Sequence, residues 1–116
     1  MTRPAWHILR EDGALTLARR LPARFDFGAE AAFPRVGRLR LARQIRQDMW
    51  RALQSLRGFA PVVRVEITGD GVQVRAGGQV DGNFPRQRAS DTVAALLQDP
   101  AHRARWIAHA DGGRHG

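Results

Sequence analysis

Arg43, Arg46, Gln47, Trp50, Gln54 and Arg57 recur at spacings of mostly three and four residues. In a helix, that spacing stacks them along one side. Arg40 and Arg51 fall at the flank of the same stripe. Guanidinium groups repel one another unless an anion lies opposite, and phosphate is the repeated anion that a protein most often meets. Glutamine hydrogen-bonds base edges or phosphate oxygens, and an exposed indole stacks on a base. The chemistry on offer is therefore binding of a nucleic-acid strand. A blander arrangement competes with it, in which Trp50 belongs to a second packing surface covered by the N-terminal segment and the arginines only keep the helix solvated.

Two further groups of arginines could widen a phosphate-contacting surface. Arg19, Arg20 and Arg24 precede the helix in a connector, and Arg86 and Arg88 sit in a glycine- and proline-bearing stretch. A solvated connector would account for the first group equally well, and for the second a mobile basic arm is weighed against a short edge strand over Val80 to Phe84, which is slightly preferred.

Catalysis finds little support. The two serines, Ser55 and Ser90, lie outside any G-x-S-x-G elbow. His102 and His109 are seven residues apart, which on a helix separates them by about 10 Å, too far to share a metal ion. They read as surface histidines around a partly buried Trp106. Asp26 and Glu30 in the connector form the one carboxylate pair that could assist hydrolysis through a metal. The glycines of GDGVQVRAGG belong to a hairpin turn and do not precede a helix, so they make no phosphate loop. No enzyme, no metal site and no cofactor are expected.

The composition agrees with a binding role. The 116 residues carry 19 basic against 11 acidic side chains, a net charge of +8, and every basic one is arginine. Codon bias can exchange lysine for arginine, but it cannot remove acids, so the excess charge still points to an anionic partner. Cysteine is absent, which excludes disulfides and thiolate metal sites. No apolar run reaches the roughly 20 residues of a membrane span, and MTRPAWHILRED lacks the apolar core of a signal peptide. A soluble, cytoplasmic protein with no membrane partner is expected.

The elements that must position the stripe follow from periodicity. Residues 35–59 carry the long helix, with Ala42, Ile45, Met49, Ala52, Leu53 and Leu56 on its apolar face. Gly37 weakens the first turn, so regular helix should begin near Arg38. Gly58 is the expected stop, and Asp48, the sole acid of the segment, points away from the arginine stripe.

Residues 6–18 read as a hairpin turned at Asp12-Gly13, with Ile8 facing Leu17 and Arg10 facing Leu15. Trp6 shares their apolar side. Residues 19–33 have no clear period and read as a connector anchored by Phe25, Phe27 and Phe33.

Residues 62–76 form a second hairpin. A loop at Asp70-Gly71 is preferred, because it sets Glu66 against Arg75 where a Gly69-Asp70 loop would set Arg64 against Arg75. Val80 to Phe84 suggests a short edge strand with Phe84 buried. Ser90 then caps a helix whose buried stripe is Val93, Leu96 and Leu97. Asp99-Pro100 starts another helix, with a small-residue face of Ala101, Ala104, Ile107 and Ala108.

The expected fold is α+β, in the order β-β-α-β-β-α-α. An antiparallel sheet of about four strands packs on one long amphipathic helix, followed by two short C-terminal helices. Residues 1–110 form a single domain and 111–116 a disordered tail. The functional expectation is a small, basic, non-enzymatic nucleic-acid-binding protein, with DNA slightly ahead of RNA. The alternative is a subunit that docks on an acidic protein partner, with Trp50 and Trp106 as buried anchors.

Overall fold

A computed structural model describes residues 6–112. Five strands and three helices follow one another as β1 (His7–Glu11), β2 (Ala14–Ala18), β3 (Phe27–Pro34), α1 (Arg38–Ala52), β4 (Ala60–Thr68), β5 (Gly71–Gln79), α2 (Arg86–Gln98) and α3 (Pro100–Gly112). The strands form one antiparallel sheet in the order β1-β2-β4-β5-β3. The α+β class is as expected, but the sheet has five strands and not four, and the order gains a third strand before α1.

That extra strand is β3, in the segment expected to be a connector. Its small residues explain why no strand period was visible. Gly28, Ala29, Ala31 and Ala32 give almost no alternation of hydropathy, yet Ala31 and Phe33 turn to the core opposite Val74 and Val72. Burial on the far side of β5, not local pattern, makes this segment a strand.

The first hairpin has the predicted register, Ile8 against Leu17 and Arg10 against Leu15. The second does not. Thr68 pairs with Gly71, so Gly69-Asp70 is the loop and Arg64 stands directly across from Arg75. Neighbouring strands remove the clash that disfavoured this register. Arg64 donates to Glu11 at 2.9 Å and lies 3.9 Å from Glu66. Arg75 faces Glu30 on β3 and lies over the Phe25 ring at 4.5 Å. The surroundings of Arg64 and Arg75 are thus set by groups outside the hairpin.

One face of the sheet carries the core. Leu15, Leu17, Val63, Val65, Val72, Val74 and Ala76 meet Leu41, Ala42, Ile45 and Met49 of α1 and Val93 and Leu97 of α2. Ile45 and Met49 are fully buried, each stabilising the fold by about 2–3 kcal/mol relative to an exposed side chain. Arg64, Glu66 and Arg75 project from the opposite face.

α1 begins at Arg38 as expected but ends at Ala52, six residues before Gly58. The chain tightens there into turns, with Leu56 N–H donating to Leu53 C=O at 2.9 Å. This brings Phe59 down against Phe27, ring centroids 5.6 Å apart. A straight continuation of the helix would carry Phe59 away from that contact.

The C-terminal half also departs from expectation. Val80 to Phe84 is loop, and Phe84 is half-buried against Phe27 at 5.6 Å. α2 starts at Arg86, so Ser90 is no cap. Its Oγ instead accepts from the Gly28 N–H at 3.2 Å.

Asp99-Pro100 does open α3, and the Asp99 carboxylate accepts from the His102 N–H at 3.0 Å and contacts its Nδ1 at 2.7 Å. Those two interactions, the backbone one first, hold Asp99 below the usual carboxylate range. The buried side of α3 is Trp106 and Ala110, whereas Ala101, Ala104 and Ala108 are exposed. The helix continues through Gly112, so Asp111 and Gly112 are helical, and the rest of the expected tail lies outside the described residues.

Trp106 is fully buried, not partly so, and it reaches the one acid of α1. Its Nε1 donates to Asp48 Oδ2 at 2.7 Å, and Arg105 donates to the same oxygen at 2.7 Å. Asp48 therefore joins α1 to α3. Among the described residues, no helix is long and apolar enough to cross a membrane.

Candidate functional site

The side of α1 that faces away from α3 forms one wall of a cleft of about 750 Å³. Arg46, Gln47 and Trp50 line it from the helix. Trp6, just before β1, and Arg19 and Arg20, just after β2, form the opposite wall, and the Phe59–Pro61 segment entering β4 forms the floor. Among the described residues, no acidic side chain lines it.

Each side chain has a local reason for its place. Arg46 and Trp50 are one helical turn apart, so both project over the same edge of the sheet. Trp50 lies flat on Phe59, with centroids 6.0 Å apart and planes 11° from parallel. One indole face is thus fixed, while 46% of the residue remains exposed. Trp6 is in phase with Ile8 and so turns toward α1. There the Arg46 guanidinium lies 4.4 Å from its ring centroid, and the Arg19 guanidinium 5.6 Å away. Cations over an indole face gain from its quadrupole.

Arg46 is the most constrained group in the cleft. Its Nε is buried without a hydrogen-bond partner among the described residues. Desolvation, and secondarily the nearby Arg43 charge, pull its pKa below the ordinary arginine value. Arginine nevertheless stays protonated at neutral pH. A half-buried cation beside a like charge gains most from an anion entering the cleft.

The cleft gathers only part of the arginine stripe. Arg46, Gln47 and Trp50 are gathered in the cleft with Arg19 and Arg20 from the second group. Arg40 and Arg43 are exposed on α1 outside it, and Gln54 and Arg57 are exposed in the turns after the helix. Arg51 lies 3.8 Å from Asp48, and Arg20 lies 3.6 Å from Asp81 at the rim.

Arg24 is bonded to Asp26 at 3.0 Å. Arg86 sits 5.6 Å over the Phe84 ring, and Arg88 lines a separate shallow groove of about 270 Å³ beside Leu53 and Leu56.

Among the described residues, nothing covers the open face of Trp50, which is 46% exposed. Arg46, and not Trp50, meets that segment through Trp6. Trp6 is the site residue that the sequence reading missed. The available signal was its phase with Ile8, which placed it on the helix-facing side.

The carboxylates considered for hydrolysis have other partners. Asp26 accepts from the Val80 N–H and from Arg24, and Glu30 accepts from Gln73 Nε2 at 3.2 Å. No group of three potential metal ligands occurs among the described residues. No protein-family model, curated protein or solved structure matches this chain.

Proposed function

We propose that this protein binds nucleic acid without catalysing a reaction, and that the cleft between α1 and Trp6 takes an unpaired stretch of strand. The observation that carries the reading is the pairing of a stackable indole with three guanidiniums in one cleft. Trp50 offers its open face to a base, and Phe59 holds the other face flat. Arg19, Arg20 and Arg46 surround the position that an adjoining phosphate would occupy.

Stacking tolerates any base, so the site discriminates single strands from duplex more than one sequence from another. DNA is placed slightly ahead of RNA. Arg40 and Arg43, exposed along α1, extend the phosphate path beyond the cleft. Arg51, Gln54 and Arg57 supply weaker outlying charge or hydrogen bonds.

Fluorescence anisotropy with labelled single-stranded DNA, RNA and duplex DNA, titrated from low to physiological salt, tests this. Single strands should bind more tightly than duplex, and Arg46→Gln with Trp50→Ala should abolish the preference. Absence of binding to all three at low salt removes the reading. A second reading, docking on an acidic protein surface, draws on the same exposed Trp50 and its arginine neighbours, residue types that carry much of the energy at protein interfaces.

A further inference from the structure

The two edges of the sheet are finished differently. At the β3 edge, side chains from the helices occupy outward backbone groups: Ser90 Oγ accepts from the Gly28 N–H, and Arg103 Nη2 donates to the Ala32 carbonyl at 2.7 Å. At the β1 edge, no described residue hydrogen-bonds to the outward backbone groups, and Ile8 and Leu9 are 38% and 37% exposed. They are two of the four exposed large apolar residues among those described. β1 contains no proline or bulge, and its protection is limited to its five-residue length and the charges of Arg10 and Glu11.

We infer that β1 pairs antiparallel with β1 of a second copy of this chain, about a two-fold axis through Leu9. The register follows from symmetry and charge. A two-fold axis perpendicular to the sheet must pass through a residue, because identical residues then point to the same face.

With Arg10 on the axis, two guanidiniums would face each other. With Ile8 on the axis, Glu11 would fall beyond the end of the partner strand. Leu9 on the axis gives every residue of β1 a partner. Leu9 meets Leu9, Ile8 lies against the Arg10 stem, and His7 stands opposite the Glu11 carboxylate, a charge-complementary pair when the imidazole is protonated.

The result is a continuous ten-stranded sheet with both helical layers on one side. The two Trp6 residues lie roughly 20 Å apart along the strands, from the rise per residue. A five-residue strand buries little area, so the pairing depends on concentration.

The absence of cysteine makes the test direct. Directly opposed residues place their Cα atoms about 4.5–5.5 Å apart, within the span of a disulfide. Leu9→Cys should therefore oxidise to a covalent dimer at least about tenfold faster than Leu21→Cys, although Leu21 is the more exposed at 49%. Sedimentation of the parent should show the mass rising toward twice that of the monomer with concentration, and Leu9→Lys should hold it at the monomer.

A parent that stays monomeric at every concentration overturns the inference, and this includes the case in which the chain's own first residues cover the edge. A dimer in which Leu9→Cys crosslinks no faster than Leu21→Cys overturns it as well. Neither outcome depends on nucleic acid, so the inference fails or stands apart from the proposed function.

Discussion

The indole Nε1 of Trp106 donates to Oδ2 of Asp48 across 2.7 Å, with both residues buried. This bond fixes α3 against α1, and Phe33 of β3 stands 6.2 Å from the Trp106 ring on the sheet side. Asp48→Ala would leave a buried N–H without an acceptor. We expect a loss of about 3 kcal/mol, the cost of stranding a buried donor plus the loss of a charge-assisted bond. Asp48→Asn keeps an acceptor and should lose about 1 kcal/mol. Urea unfolding checks both, as a shift of midpoint at unchanged slope.

Binding and stability should separate at Trp50. Trp50→Ala removes one stacking platform, expected to weaken single-strand binding by about 1–3 kcal/mol, or roughly 5- to 150-fold. Its stability loss should not exceed about 1 kcal/mol, the worth of the Phe59 stack. Trp50→Phe should keep most of the affinity. Anisotropy and urea midpoints on the same preparations distinguish these outcomes.

Arg46→Gln should remove one phosphate contact. The slope of log affinity against log salt should fall by about 0.7 on single strands. Arg88→Gln, on the separate shallow groove, should leave the slope unchanged. Titrations at four or more salt concentrations measure it.

A methyl group at residue 77 has nowhere to go. A Cβ there would lie 2.1 Å from the Phe27 carbonyl oxygen and 2.7 Å from the Gly28 Cα, both backbone atoms of β3. Gly77→Ala should push β3 off the sheet at a cost of about 3 kcal/mol or more. Gly13→Ala, at a turn with φ of +72° and open space around it, meets only backbone strain of about 1–2 kcal/mol. Thermal or urea unfolding should rank them in that order.

Asp26 supplies a pH-dependent clamp between the start of β3 and the end of β5. Its carboxylate accepts from the Val80 N–H and from Arg24, each at 3.0 Å, and these bonds, the backbone one first, lower its pKa below the ordinary 3.8. A group depressed in the folded state stabilises fully above its unfolded pKa and loses that contribution as pH falls through the folded one. Asp26→Asn should therefore be less stable than the parent at neutral pH by a constant margin. Below pH 3.8 that margin should shrink. Unfolding midpoints across the acid range follow it.

How much was legible divides by the range of the interactions that set each element. The first hairpin and α1 from Arg38 were readable because an Asp-Gly turn and a helical apolar stripe are local signals. β3 was not, because Gly28, Ala29, Ala31 and Ala32 become strand only through pairing with a segment more than forty residues later in the chain. The register of the second hairpin failed for the same reason, since Arg64 pairs with Glu11 of β1 and Arg75 lies over the Phe25 ring. At the site, Arg46, Gln47 and Trp50 followed from helical spacing, while Trp6 and the grouping of Arg19 and Arg20 with α1 depended on how the hairpin sits against the helix. Asp48, noted only as the lone acid, found its partner in a tryptophan 58 residues away.

The strand order β1-β2-β4-β5-β3 has a consequence for synthesis. β1, β2 and β3 leave the ribosome first, yet β2 and β3 do not touch: the later β4-β5 hairpin lies between them. Until Gln79 has emerged, β3 has no neighbour and β2 exposes the side that β4 will occupy. The growing chain therefore carries two strands with unpaired edges, β2 and β3, through much of its translation, the condition under which nascent chains most readily mispair with one another.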